Sequence, residues 1–149
     1  ISLLMELPIA SNCNILIADK SGEMAVVECT SIKKRIREPI CIGDDRIVCA
    51  VNSFTSDQMK PYSVVGVEDY DSGERYKVVI KSFSTSIRED FIETTKRLLK
   101  GDYGFMCQYD DDPDFETVWS SVFDLKSLMI YRAEGDPRKK KFITDSRLL

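Results

Sequence analysis

The stretch NILIADKSGEMAVVEC, residues 14–29, constrains the fold more than any other part of the chain. Residues 14–18 and 23–29 are apolar and β-prone, and the DKSG between them is a tight-turn sequence in which Gly22 can take positive φ. A β-hairpin is predicted. The next segment, SIKKRIREP, sets Ile32 and Ile36 among charges ahead of Pro39. A solvent-facing edge strand fits that pattern better than a helix that would have to stop at the proline.

The run DRIVCAVNS predicts a fourth strand, with Val48 to Val51 a short buried piece that turns polar at Asn52. Residues 55–76 carry Pro61, Gly66 and the polar cluster EDYDSGER, and are expected to hold only short irregular structure. The main helix is predicted in STSIREDFIETTKRLLKG. There Ile87, Phe91, Leu98 and Leu99 share a stripe, Ser86 and Glu89 have capping-box spacing, and Gly101 sits where a helix-terminating glycine belongs. DYGFMCQYDDDPDFE reads as a strand-like piece followed by an acidic loop, and TVWSSVFDLKSLMIYRAEG as a second hairpin turning at Asp124 to Ser127. With no repeat or linker to split it, the chain is expected to be one α+β domain over residues 1–149, an antiparallel sheet covered on one face by the helix.

Composition narrows the chemistry. A chain of 149 residues with 43% apolar and 31% charged residues can build one core unaided by metal or disulfide, and no apolar run is long enough to span a membrane. A soluble protein is expected. The formal charge of −4 argues against a nucleic-acid partner, the run Arg138 to Lys141 being the exception; a basic run near a terminus is ordinarily a solvated face. Cys13, Cys29, Cys41, Cys49 and Cys107 are odd in number, lack CxxC spacing and follow no signal peptide, which favours reduced thiols in the cytoplasm. The sequence contains no histidine, so zinc is not expected and every His-based triad or general base is excluded. No cofactor is expected.

Four features could carry chemistry, each with a plainer reading. The acidic loop from Asp110 to Glu116 offers oxygen ligands but lacks the spacing and glycine of a calcium loop, which leaves a solvated turn. Cys13, between Asn12 and Asn14, is the most exposed to interpretation as a nucleophile, whereas Cys29 and Cys49 lie in apolar runs where a thiol is a small hydrophobe. Arg88, placed in the first turn of the predicted helix, opposes the macrodipole; an ion pair with Glu89 or Asp90 would explain it as well as an active-site role would. Asn52 at a strand mouth either terminates a ladder through local backbone bonds or presents an amide donor to an oxyanion.

The segments PIASNCNILIADKSGEMAVVE, VCAVNSFTSDQM and TVWSSVFDLKSLMIYRAEGDPRKK together resemble the later part of the N-terminal-nucleophile hydrolases of the choloylglycine hydrolase and penicillin V acylase type, and more closely the branch that includes isopenicillin N acyltransferase. The resemblance covers nearly the whole chain. It implies part of an αββα sandwich of two antiparallel sheets between helical layers, acting on a small-molecule acyl amide or an acyl-CoA donor. In such enzymes an amino-terminal cysteine attacks the amide and its own α-amine serves as base, so no histidine is needed. Residue by residue, Asn52 matches the asparagine that holds the tetrahedral intermediate and Arg88 the arginine near the nucleophile, the two catalytic positions. Asn14 matches a position of the acyltransferase branch that reads as structural and lines the site, and is assigned to substrate binding. Trp119 and the serines after it are placed in the sheet core.

Residue 1 is isoleucine, without an initiator Met, and the chain opens on what reads as the last turn of an apolar helix stopped by Pro8. The expectation is therefore a C-terminal piece of a longer amidase or acyltransferase, inactive alone, whose partners include the segment carrying the nucleophile. A sheet short of strands should also self-associate, so a homo-oligomer is expected. The alternatives are a non-catalytic α+β binding domain that retains the fold, and an anion-binding module using the basic tail.

Overall fold

Hairpin geometry organises the first part of the chain. In the computed structural model, which describes residues 1–63, 70–85, 90–107 and 116–146, β1 (Cys13–Ala18) and β2 (Met24–Cys29) pair antiparallel with Asn14 opposite Glu28 and Cys13 opposite Cys29. Asp19 accepts from the amide of Gly22 and donates its own to Glu23, while Gly22 takes φ 88°. This is a three-residue loop closed by a glycine in the left-handed region, a geometry that matches the right-handed twist of the strands. β3 (Lys34–Arg37) completes a sheet of order β1-β2-β3, so it is the edge strand expected from its charges. The middle strand has every residue from Ala25 to Cys29 buried.

β4 (Ile40–Ile42) and β5 (Asp45–Ile47) form a separate two-stranded ribbon. The predicted fourth strand stops there: residues 48–51 belong to no ladder. Side chains take their carbonyls instead, Arg37 bonding the carbonyl of Cys49 and Asn14 that of Val51. A short 3-10 turn, Lys60–Tyr62, follows.

The largest departure from expectation is α2 (Ser72–Thr85), a helix where the chain was expected to be irregular up to residue 76. Its sequence, SGERYKVVIKSFST, has β-branched residues at its centre and charges on several sides, so the local periodicity that marks a helix is faint. α1 (Ser2–Glu6) is a single turn, and Leu7 goes extended ahead of Pro8 as the ring requires.

α3 (Phe91–Lys100) is the predicted helix with a later start. Asp90 caps it by accepting from the amide of Ile92, and Gly101 ends it at φ 83°. The expected box of Ser86 and Glu89 lies outside the described residues, as does Arg88. The helix begins at Phe91, three residues after the position of Arg88 in the sequence. Residues 102–107 form turns and irregular chain rather than a strand; Gly104 there takes φ 139°.

β6 (Trp119–Asp124), β7 (Met129–Glu134) and β8 (Ile143–Thr144) make the third sheet, and α3 packs on β6. The turn falls where predicted: the Asp124 carboxylate accepts from the amides of Lys126 and Ser127 and from the Ser127 hydroxyl. Ser120 is buried as expected, but Trp119 is 51% exposed and lies against Arg132, whose guanidinium is 4.4 Å from the ring centroid. The indole sits on the outer face because strand residues alternate and Ser120 occupies the inner one.

The architecture is α+β with small antiparallel sheets, and the chain divides into two compact units, Ile1–Tyr76 and Lys77–Leu149. The first has its core at Ala25, Val26, Val27, Phe54 and Met59; the second at Val78, Leu98, Val122 and Ala133. Among the described residues no helix is long and apolar enough to cross a membrane.

Candidate functional site

The first unit brings two of the three sequence-predicted site residues together. Asn14 and Glu28 are opposite one another across β1 and β2, and so project from the same face of the sheet. On that face lies the irregular segment 48–56, with Asn52 at its middle.

Asn14 spends both amide hydrogens on the carbonyls flanking Asn52: Nδ2 is 2.7 Å from the Val51 oxygen and 3.0 Å from that of Ser53. The amide orientation follows, since only the nitrogen can donate to two carbonyls. Its Oδ1 is buried and has no donor among the described residues. Asn14 therefore acts on the backbone around Asn52 through its two donors.

Asn52 is exposed, and the Arg75 guanidinium donates to its Oδ1 at 2.6 Å. Arginine has no acceptor, so this contact turns the Asn52 oxygen toward α2, and among the described residues its NH₂ has no acceptor. The first turns of α2 also supply Ser72, whose hydroxyl accepts the amide of Ser53 at 3.2 Å.

Glu28 is fully buried, and donors converge on it. Its Oε1 accepts from the Thr55 amide at 2.7 Å and the Thr55 hydroxyl at 3.0 Å, while Oε2 takes the Ser56 hydroxyl and shares the Ser56 amide. Arg37 Nε lies 3.2 Å from Oε1, a charge contact without the alignment of a hydrogen bond, and its terminal nitrogen donates to the Cys49 carbonyl. Burial pushes the Glu28 carboxyl up, but the bonds from Ser56 and Thr55 together outweigh it and hold it below the ordinary carboxylate value. It is a carboxylate at neutral pH.

Two thiols of this unit, Cys49 and Cys29, are poor nucleophiles. Burial raises Cys49, against the opposing pull of Arg37 and Arg75, and burial followed by the neighbouring Cys13 thiol raises Cys29. Among the described residues no cluster of three metal-ligating side chains occurs. In the second unit, Arg138 and Lys139 both lie beside Asp136, so half of the basic run serves a local turn. The groove of that unit, bordered by Arg132, Glu134 and Ile143, contains none of the predicted site residues.

The model of the acyl-coenzyme A:6-aminopenicillanic acid acyl-transferase family matches residues 1–139. The chain belongs to this family. No curated protein and no solved structure matches it. Family membership agrees with the resemblance drawn from the segments around residues 8–28, 48–59 and 117–140.

Sequence reasoning named Asn52 and Asn14 but passed over Glu28, Arg37, Ser72 and Arg75. Glu28 did leave a signal, a lone charge inside the apolar run AVVEC. Arg75 left none, because nothing local distinguishes it from the other charges of GERYK.

Proposed function

We propose that this chain carries the intermediate-stabilising side of an acyl-transfer site that acts on a linear amide, as hydrolase or acyltransferase, within an N-terminal-nucleophile sandwich. The observation that supports it is the Asn52 amide: Arg75 donates to its oxygen, Asn14 grips the carbonyls on both sides, and among the described residues no acceptor takes its NH₂. With its oxygen held by Arg75, the amide presents its NH₂ as a donor, which is what a negatively charged tetrahedral oxygen needs.

In the reaction the family resemblance implies, the thiolate of an amino-terminal cysteine adds to the amide carbonyl, and its electrons move onto the oxygen, where Asn52 donates. Collapse expels the amine, which takes a proton from the α-ammonium group, and leaves a thioester. Water or an acceptor amine then removes the acyl group. In this reading the nucleophile comes from a further segment of the same protein, and the 149 residues alone are expected to be inactive. Arg88 remains the proposed neighbour of the nucleophile. Asn14 would serve substrate binding through the Val51 and Ser53 carbonyls it holds on either side of Asn52.

Two measurements on the full-length protein test this. N-terminal sequencing and intact mass should find a mature chain that begins with cysteine; an uncleaved chain would leave a binding domain that kept the fold. Asn52→Ala should lower kcat by about 10² to 10³ with little change in KM. A variant with wild-type kcat would remove Asn52 from the mechanism.

A further inference from the structure

We infer that Glu28 is a positioning residue for the Asn52 amide, holding the segment 49–56 so that the donor stays where a developing oxyanion needs it. This rests on the acyl-transfer reading above.

Asn52 is an exposed side chain on a stretch that belongs to no ladder, and fixing such a residue costs backbone entropy. An oxyanion donor is effective only when it is already in place, so something must hold this stretch. Upstream, Arg37 holds the Cys49 carbonyl and Asn14 that of Val51. Downstream, Asn14 holds the Ser53 carbonyl, and Glu28 holds the amides and hydroxyls of Thr55 and Ser56. Glu28 contacts Arg37 as well, so it joins the two anchors across Asn52.

The chemistry of the group supports a dedicated role. Two amides and two hydroxyls point at one side chain, and a carboxylate is the side chain that accepts at both ends. A core position needing only volume would be served at lower cost by an apolar residue, as at Val26 and Val27 beside it, because a carboxylate must be stripped of its water to enter the core. Glutamine has the same shape but turns an NH₂ toward groups that can only donate through their amides. Glu28→Gln is therefore a targeted lesion.

The test has a structural and a kinetic arm. By amide exchange followed by NMR, Glu28→Gln should speed exchange at Thr55 and Ser56 by about tenfold or more, while Ile15 and Val27 in the hairpin keep their protection. In the full-length protein, with an N-acyl p-nitroanilide as probe, it should lower kcat by about tenfold or more at unchanged KM, and should add nothing to Asn52→Ala in a double-mutant cycle. If the Gln variant does not fold, Ser56→Ala decides, since it deletes one hydroxyl donor and should act in the same direction with smaller amplitude. Unchanged exchange at Thr55 and Ser56 overturns the inference whatever the activity. Losses that multiply, with Asn52→Ala itself costly, overturn the role of Glu28 and leave the acyl-transfer reading standing. A silent Asn52→Ala removes that reading and this inference with it.

Discussion

The two long hairpins of this chain are alike in topology and opposite in use. β1 and β2 pair over six residues, as do β6 and β7. Yet β2 is buried from Ala25 to Cys29, whereas β6 alternates, with Ser120 and Val122 inside and Trp119 and Phe123 outside. In the alternating strand a polar residue is the wet face or a small inner filler. In the continuously buried strand a charge is out of place, and Glu28 stays there because four hydrogen-bond donors and Arg37 converge on it. The same supersecondary unit is thus a ladder in one half of the sequence and the back wall of the proposed site in the other. A polar residue gains meaning from the burial pattern that surrounds it.

Removing a charge from each hairpin should separate them most. Glu28→Ala leaves Arg37 and four donors without their acceptor, and should cost about 3–5 kcal/mol in urea unfolding. Glu134→Ala in β7 breaks a pair whose carboxylate side chain is 59% exposed, and should cost at most about 1 kcal/mol. Equal costs would mean that the burial contrast does not control the energetics.

Apolar truncation should give a smaller gap in the same direction. Val27→Ala, at a fully buried position, should lose about 1.5–3 kcal/mol, and Phe123→Ala, 58% exposed on β6, should lose less despite the larger deletion. A larger loss for Phe123 would show that its face is covered in solution.

The most gradual contrast is with pH. The folded Glu28 carboxyl sits below its ordinary value of 4.5. Its contribution is therefore complete above that pH and is lost as pH falls through the lower folded value. Exposed carboxylates such as Asp124 are also lowered, by the Ser127 hydroxyl first and then the Ser127 amide. The informative quantity is accordingly the difference between wild type and Glu28→Gln. The variant's stability should fall less steeply than wild type's below pH 4.5, and parallel curves would mean that Glu28 does not titrate against the fold.

Much of the fold was readable because it is local. The turn at Asp19 to Gly22, the β6–β7 turn at Asp124, the end of α3 at Gly101 and the edge character of β3 all follow from residues within a few positions of one another. α2 was missed where β-branched residues blur the helical period, and the fourth strand was extended too far because apolar Val48 to Val51 looks like strand until its carbonyls are claimed by Arg37 and Asn14. The site was legible in part. Asn52 and Asn14 were found through resemblance, and their contacts were not. Arg88 lies outside the described residues, so its place beside them stays with the resemblance.

The sequence by itself determined the two hairpins, the strongest helix and a chemistry without histidine, because turns, periodicity and composition are properties of neighbouring residues or of none. Only the tertiary structure decided that Glu28 is a clamp, that Asn14 holds the backbone around Asn52, and that Arg75 turns the Asn52 amide. Those contacts join residues 27, 37 and 23 positions apart. A hydrogen bond at such separation depends on where folding has carried both ends, and the pattern of side chains along the chain holds no record of that.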